Sequence, residues 1–436
     1  MNKIIIALAS VLLALTAAAQ QPAQPAAEIP ATLLIQNVTL IDGTGANPRG
    51  HATLLVRDGK IAEILSADTA PVADLAVNGT GLFAIPGLID AHVHLSPAPL
   101  DRRTSELRRT LDGGVTTVYD LAGDTRETGD LARAVLAGDL EGPSIYYAAL
   151  MSGPAFFTDP RVIESSVGFR PGEAPWAQAI TGETDLVKAV AAARGTGATA
   201  LKLYAALDAV TVKRIAEEAR RQGLQLVAHA CVFPAKPSDM VAAGVDMLAH
   251  APYLVWEGMP PSTDFTRRAV GDFAHVATDS PEIVRLLESM RDHDVALNPT
   301  LYIFAAQQSG NEVSRARVQW GNGVTRRAAA LGVRIVAGTD NMIDLQRDPL
   351  PLLHRELETL VSGAGLTPMQ ALVSATRNAA HAIGVEQERG TIEAGKVADI
   401  VLLEANPAED IRNTSKIRMV IKQGRLVFDS KLRPRQ

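Results

Sequence analysis

Apolar and polar positions alternate along "ATLLIQNVTLIDGTG" (31–45) and "HATLLVRDGKIAEILS" (51–66), with "DGTG" and "DGK" between or after the runs. That is the pattern of short strands joined by tight turns. The same alternation returns near the other end, in "GTIEAGKVADIVLLEANP" (390–407) and "IRMVIKQGRLVFD" (417–429). Neither piece can bury a face alone, so the two are expected to pair into one small discontinuous β-sandwich, 31–85 with 390–436.

Between them the period changes. Short apolar strands are expected at Phe83–His94, Val115–Asp120, Ser144–Ala148, Ala200–Leu203, Leu226–His229, Met247–His250, Val295–Asn298 and Arg334–Gly338. They alternate with helical stretches such as "SELRRTLDGG", "DLVKAVAAARGTG", "TVKRIAEEARRQG", "SPEIVRLLESMRDH" and "TPMQALVSATRNAAHAIG". Several of these end in glycine, as helix C-termini do. Eight strands so arranged predict an α/β fold, a (β/α)8 TIM barrel over 86–389, whose site lies at the C-terminal strand ends. Two long stretches, 151–182 and 252–279, read as insertions over that mouth.

Composition adds three constraints. The formal net charge is −6 and no basic stripe appears, which argues against nucleic acid as a partner. Lys3, the apolar run "IIIALASVLLALTAAA" and Ala17-Ala18-Ala19 make a cleavable signal peptide over 1–19, cut after Ala19. "QQPAQPAAEIP" (20–30) then reads as a leader. The expected location is periplasmic or secreted, with no membrane anchor after cleavage. Cys231 is the one cysteine, so no intramolecular disulfide can form. A homo-oligomer is left open.

Chemistry enters where apolar strands end in metal-competent side chains. His92 and His94 are two apart on a strand and share a face. Lys202, in "ATALKLYAAL", shares its face with Ala200 and Tyr204, so it points into the barrel if Leu201 and Leu203 face the helices. A buried lysine is either salt-bridged across the barrel or neutral, and then open to reaction with CO2. "LQLVAHAC" ends in His229, "VDMLAH" in His250 and "RIVAGTD" in Asp340. Asp90, two before His92, reads as an acceptor behind an imidazole or a salt-bridge partner on the barrel floor. His51, His275, His293, His354 and His381 lie in turn or helix contexts and are not expected to bind metal.

With "PGLIDAHVHL", "LKLY", "VAHA", "LAH" and "AGTD", the chain resembles the amidohydrolase superfamily in its binuclear, carboxylated-lysine form. "GTIEAGKVADIVLL" and the helices from Leu353 are similar to the branch of imidazolonepropionase-like proteins and secreted prolidase-like dipeptidases. The resemblance implies two divalent metal ions, with Zn2+ expected from the imidazole and carboxylate ligands. His92 and His94 would hold the deeper ion, Lys202 as a carbamate would bridge both, and His229 and His250 would hold the outer one. Asp340 would complete the inner shell and act as general base and acid for attack of a metal-bridging hydroxide. The implied partner is a small-molecule amide, such as a dipeptide or an N-acyl amino acid. An ester, lactone or organophosphate would suit the same site, and a non-catalytic binding protein is the remaining alternative. The branch's substrate-holding tyrosine, two residues after the fifth-strand histidine, is replaced by Cys231. Tyr204, Cys231, Tyr253 and Tyr302 are therefore the candidate substrate contacts.

Overall fold

The computed structural model describes residues 31–66, 71–95, 99–341 and 350–432. The expected signal peptide and leader lie outside the described residues. From the N-terminal side come β1 (Thr32–Leu40), β2 (Arg49–Arg57), β3 (Lys60–Ser66), β4 (Leu75–Asn78) and β5 (Phe83–Pro86). The single strand expected over Phe83–His94 is two strands, broken at Gly87. There is no room at that glycine: a Cβ would lie 2.1 Å from Thr116 Oγ1.

The barrel begins immediately beyond. Its elements are β6 (Leu88–Val93), β7 (Val115–Asp120), β8 (Ser144–Ser152), the hairpin β9 (Glu173–Ala174) and β10 (Ala177–Ala179), β11 (Ala200–Leu203), β12 (Gln225–His229), β13 (Met247–Ala249) and β14 (Ala296–Asn298). The run β6-β7-β8-β11-β12-β13-β14 is parallel throughout, and β10 lies beside β8. The expected eighth strand, Arg334–Gly338, is no regular ladder; it makes one isolated bridge, Leu297 to Ile335. It still closes the barrel, because Val336 N donates to Leu297 O and Ala91 N to Ala337 O.

Side-chain parity places the site. Leu201, Leu203, Leu226, Leu248 and Leu297 face outward into the large core shared with the helices. The opposite parity builds an inner layer with Tyr119, Ala148, Ala200, Val227, Met247, Ala296 and Val336. Two residues further along the same faces stand Lys202, His229, Asn298 and Gly338. The barrel floor is thus apolar and the next layer polar.

The chain then returns to the first sheet with β15 (Ile400–Leu403), β16 (Ile417–Lys422) and β17 (Arg425–Asp429). One eight-stranded sheet results, in the order β17-β16-β15-β5-β1-β2-β3 with β4 beside β1. The turn between β2 and β3 meets the segment before β15, Ile61 N donating to Lys396 O and Ala398 N to Gly59 O, and it lies against the turn between β16 and β17, where a Cβ at Gly424 would be 2.8 Å from Gly59 Cα. The sheet encloses a separate core that includes Leu33, Ile35, Leu54, Ile400 and Ile421. At the seam with the barrel, Asp399 O accepts from Gly87 N while the Asp399 carboxylate pairs with buried Arg389 and accepts from Gln423 N.

Lys422 is the surplus cation at this seam. It is buried, and burial pushes its ammonium down to about 8, with Asp399 opposing the shift and Arg389 adding to it. Between that value and the ordinary 10.5, the unfolded chain binds the extra proton, so this group makes the fold gain stability as pH rises. Lys422→Met is therefore expected to stabilise the protein below pH 8, by up to about 3 kcal/mol. The gain should fade towards pH 10.5 in denaturant titrations at several pH values. A loss of stability at pH 7 would show that Lys422 is properly paired.

Candidate metal centre

Where the polar layer meets the barrel mouth, the ionisable side chains converge. His92 Nε2 lies 3.1 Å from Asp340 Oδ1, and His94 Nε2 lies 3.0 Å from the same oxygen. One ligand atom each of His92, His250 and Asp340 fall within 4.8 Å of one another. His250 joins His92 and His229 by ring contacts of 5.1 and 4.6 Å between centroids. Lys202 is 1% exposed, and its Nζ has no hydrogen-bond partner among the described residues. A cavity of about 810 Å³ opens above, lined by His92, His94, Lys202, Tyr204, His250 and Asp340 among others.

The other nitrogen of each imidazole is already engaged. His92 Nδ1 meets Asn298 Oδ1 at 2.7 Å, and Asn298 is itself oriented by its amide donating to Val336 O. His94 Nδ1 faces Ala122 O at 3.3 Å, His229 Nδ1 the Cys231 carbonyl at 3.0 Å, and His250 Nδ1 Thr300 Oγ1 at 3.0 Å. These contacts set tautomer and ring plane, as outer partners of ligating histidines do. Asp90 takes neither role expected of it. Its carboxylate accepts from His92 N, Thr339 N and Thr339 Oγ1, so it ties the first strand to the eighth through backbone.

The rim is also strained. Six of the eleven described non-glycine residues with positive φ sit just past barrel strands: Ala122, Ala206, Phe233, His250, Thr300 and Asp340. Such conformations persist where the surroundings over-determine them, and they concentrate at functional sites.

Burial sets the charges. It pushes the His92 imidazole down to about 4, Asp340 resisting. It holds His229 and His250 well below the ordinary value. On His94 burial also opposes charge, yet the hydrogen bond to Asp340 leaves that ring raised. Burial alone would lift the Asp340 carboxyl, but His92 and His250 hold it well below the usual range. Lys202 is pushed down to about 7 by burial, with Asp340 opposing.

Of the candidate substrate contacts, Tyr204 lines the cavity. Cys231 does not: it is fully buried behind His229. Tyr253 stacks on His229, centroids 5.1 Å apart. Tyr302 is partly buried away from the cavity lining, its backbone N–H donating to Glu356. The five histidines set aside all have partners elsewhere; His354, for example, bonds Thr414 Oγ1 and Gly113 O. Asn298 and Thr300 were not singled out in the sequence, although "VALNPT" is again an apolar strand ending in a polar residue.

Comparison with known proteins decides the family, for the amidohydrolase family model matches residues 83–427. The chain belongs to the amidohydrolase family. It is a hydrolase acting on amide bonds, in a family that generally uses divalent metals. It is similar to the ochratoxinase of Aspergillus niger, 26% identical over 426 residues covering 86% of this chain and 81% of that protein. An imidazolonepropionase of Deinococcus deserti is 24% identical over 392 residues, 83% of this chain and 88% of that one. Among solved structures, a Xaa-Pro dipeptidase with methionine bound in its active site superposes with a TM-score of 0.70. It is 21% identical and covers 91% of this chain and 100% of that one, a likeness that speaks for the fold alone.

Gly338 tests how tightly this amidohydrolase rim is built. A Cβ there would lie 2.5 Å from Asn298 Nδ2, 2.7 Å from His92 Cβ and 2.9 Å from His92 N. Gly338→Ala is expected to cost about 1–3 kcal/mol of stability and to lower the divalent metal retained per chain. Elemental analysis beside thermal unfolding checks both, and an unchanged metal content would show that the rim yields without moving His92.

Proposed function

We propose that the chain is a secreted, metal-dependent hydrolase of small amides such as dipeptides or N-acyl amino acids. One observation carries the metal. His92 is neutral at working pH, and its Nδ1 proton is committed to an oxygen whose orientation Val336 O fixes. Its Nε2 lone pair therefore faces the Asp340 carboxylate at 3.1 Å, acceptor against acceptor, and a cation between them resolves the conflict. The unpartnered Lys202 Nζ supports the second half of the reading. Burial lowers this amine to about 7, so its neutral form is well populated near neutral pH; that form adds to CO2 with loss of one proton, and the resulting carbamate gives the pocket an anionic oxygen donor.

The donor set of imidazole and carboxylate suits zinc and other first-row ions. Two ions would be held by His92, His94, carbamylated Lys202, His229, His250 and Asp340. Bound there, they would lower the pKa of a water to near neutrality and polarise a carbonyl. The protein's own groups do the rest. Asp340 stays ionised, accepts the attacking water's proton and delivers it to the leaving nitrogen as the C–N bond breaks. Asn298, Thr300 and the carbonyls of Ala122 and Cys231 hold the imidazoles in place. Tyr204 offers a phenolic edge to the substrate from the cavity wall. Secretion rests on the N-terminal sequence pattern alone.

Lys202→Ala and Asp340→Asn are expected to fold while losing turnover by at least about 10³-fold. The check is kcat/KM of zinc-loaded protein on a panel of dipeptides, N-acyl amino acids, aryl esters and lactones. Full activity in either variant would defeat the mechanism; an ester-only profile in the parent would defeat the amide assignment.

A further inference from the structure

The loop that leaves β14 carries two of the groups that hold imidazoles, Asn298 against His92 and Thr300 against His250. Thr300 is fully buried, has a φ of +50° and stands immediately before the short helix Leu301–Ala306. A threonine in that place ordinarily caps the helix, its hydroxyl accepting from one of the first free amides. Thr300 makes no such bond. Its Oγ1 lies 3.0 Å from His250 Nδ1 instead.

The amides are met from another element. Glu356, on the helix Leu353–Ser362, accepts from Leu301 N at 3.0 Å through Oε1 and from Tyr302 N at 2.7 Å through Oε2. It is fully buried. Burial pushes its carboxyl up to about 8, the two amides opposing the shift and Asp90 adding to it, with no cation beside it among the described residues. In either protonation state both oxygens can accept an N–H.

Burying an acid in this way is costly. Its helix neighbours Leu353, Leu357 and Leu360 belong to the apolar core, where another apolar side chain would pack at less cost. What the acid supplies is a cap that leaves the Thr300 hydroxyl free. Upstream, the loop is tied to the preceding strand end, His250 N donating to Asn298 O and Ala251 N to Pro299 O. Downstream, at the left-handed turn into the helix, the backbone is tied by Glu356.

We propose that Glu356 is a positioning residue for the metal centre: it caps the helix in place of Thr300 and so commits the Thr300 hydroxyl to the His250 ring. This rests on the metal reading of the same centre, in which His250 would hold the outer ion.

A double-mutant cycle on zinc affinity tests it, with the full-length protein titrated against a chromophoric chelator. Thr300→Val removes the hydroxyl and keeps the shape. Glu356→Gln keeps the size but sets an amide nitrogen, which cannot accept, against one of the two N–H groups. Each is expected to weaken the less tightly held zinc by about tenfold, as loss of an outer partner does. In the Thr300→Val background, Glu356→Gln should then weaken it by less than about twofold more, because the link it supports is already gone. Thermal unfolding is followed in parallel. A merely structural cap would lower the melting temperature and leave zinc affinity as in the parent; that result, or losses that multiply in full, overturns the proposal. Should Glu356→Gln not fold, Glu356→Asp, which withdraws the carboxylate by one methylene, is judged by the same two criteria. If the parent holds no zinc, the metal reading fails, and the nitrogen-15 shift of His250 Nδ1 in labelled protein decides. A shift moved alike by Thr300→Val and Glu356→Gln supports the positioning role, and one unmoved by Glu356→Gln overturns it.

Discussion

A lysine amine at the centre of a parallel barrel, with no hydrogen-bond partner among the described residues, is the constraint around which this structure is arranged. The leucines on either side of Lys202 pack outward against the helices, so the strand cannot rotate the amine away without exposing them. The layer beneath holds Ala200, Ala148 and Ala296, small residues that leave the polar layer its space but offer nothing polar. Stability in this region comes from the apolar shell, and the shell forces the ionisable groups into one dry volume. Their individual desolvation is unfavourable. It is tolerated because the surrounding strands are fixed by packing that does not depend on them.

Precision comes from a second set of contacts. Each imidazole is held through its Nδ1, by Asn298, Ala122, Cys231 or Thr300. Asp90 contributes by gripping backbone on both the first and eighth strands, which aligns the His92 and Asp340 ends of the closure. Left-handed conformations at His250, Thr300 and Asp340 re-aim these residues where an extended strand would carry them past the centre. The rim exchanges backbone comfort for a common focus.

What could be read from the sequence follows from the same physics. Strand parity is local, so the inward face of Lys202, His229 and His92 was legible from the apolar residues beside them. The two-ended sheet was legible from alternation alone. The eighth strand was harder: its hydrogen bonds run partly to β14 and partly to β6, and its pairing is too irregular to form a ladder. The 19-residue helix Glu312–Ala330 was not anticipated, because Gly321 and Gly323 weaken its helical signal. Gly321 is there for contact, since a Cβ would lie 2.7 Å from Pro252. Glu356 was invisible for a different reason. It lies 55 residues from Leu301, and on a charge-rich helix a glutamate reads as solvent-facing until its partners across the fold are known.

The two insertions belong to the site by aromatic contact. Phe156, from the stretch after β8, and Phe265, from the stretch after β13, both meet Tyr204, at 4.7 and 5.1 Å between centroids. Phe265 also reaches His229 at 5.4 Å, with Arg268 over its other side. The insertions are therefore packed against the first protein group outside the centre, and a shift in either must displace Tyr204 or the His229 ring. Away from these rings the cavity lining is of mixed charge, with Arg103, Asp124, Arg126, Glu127 and Glu164.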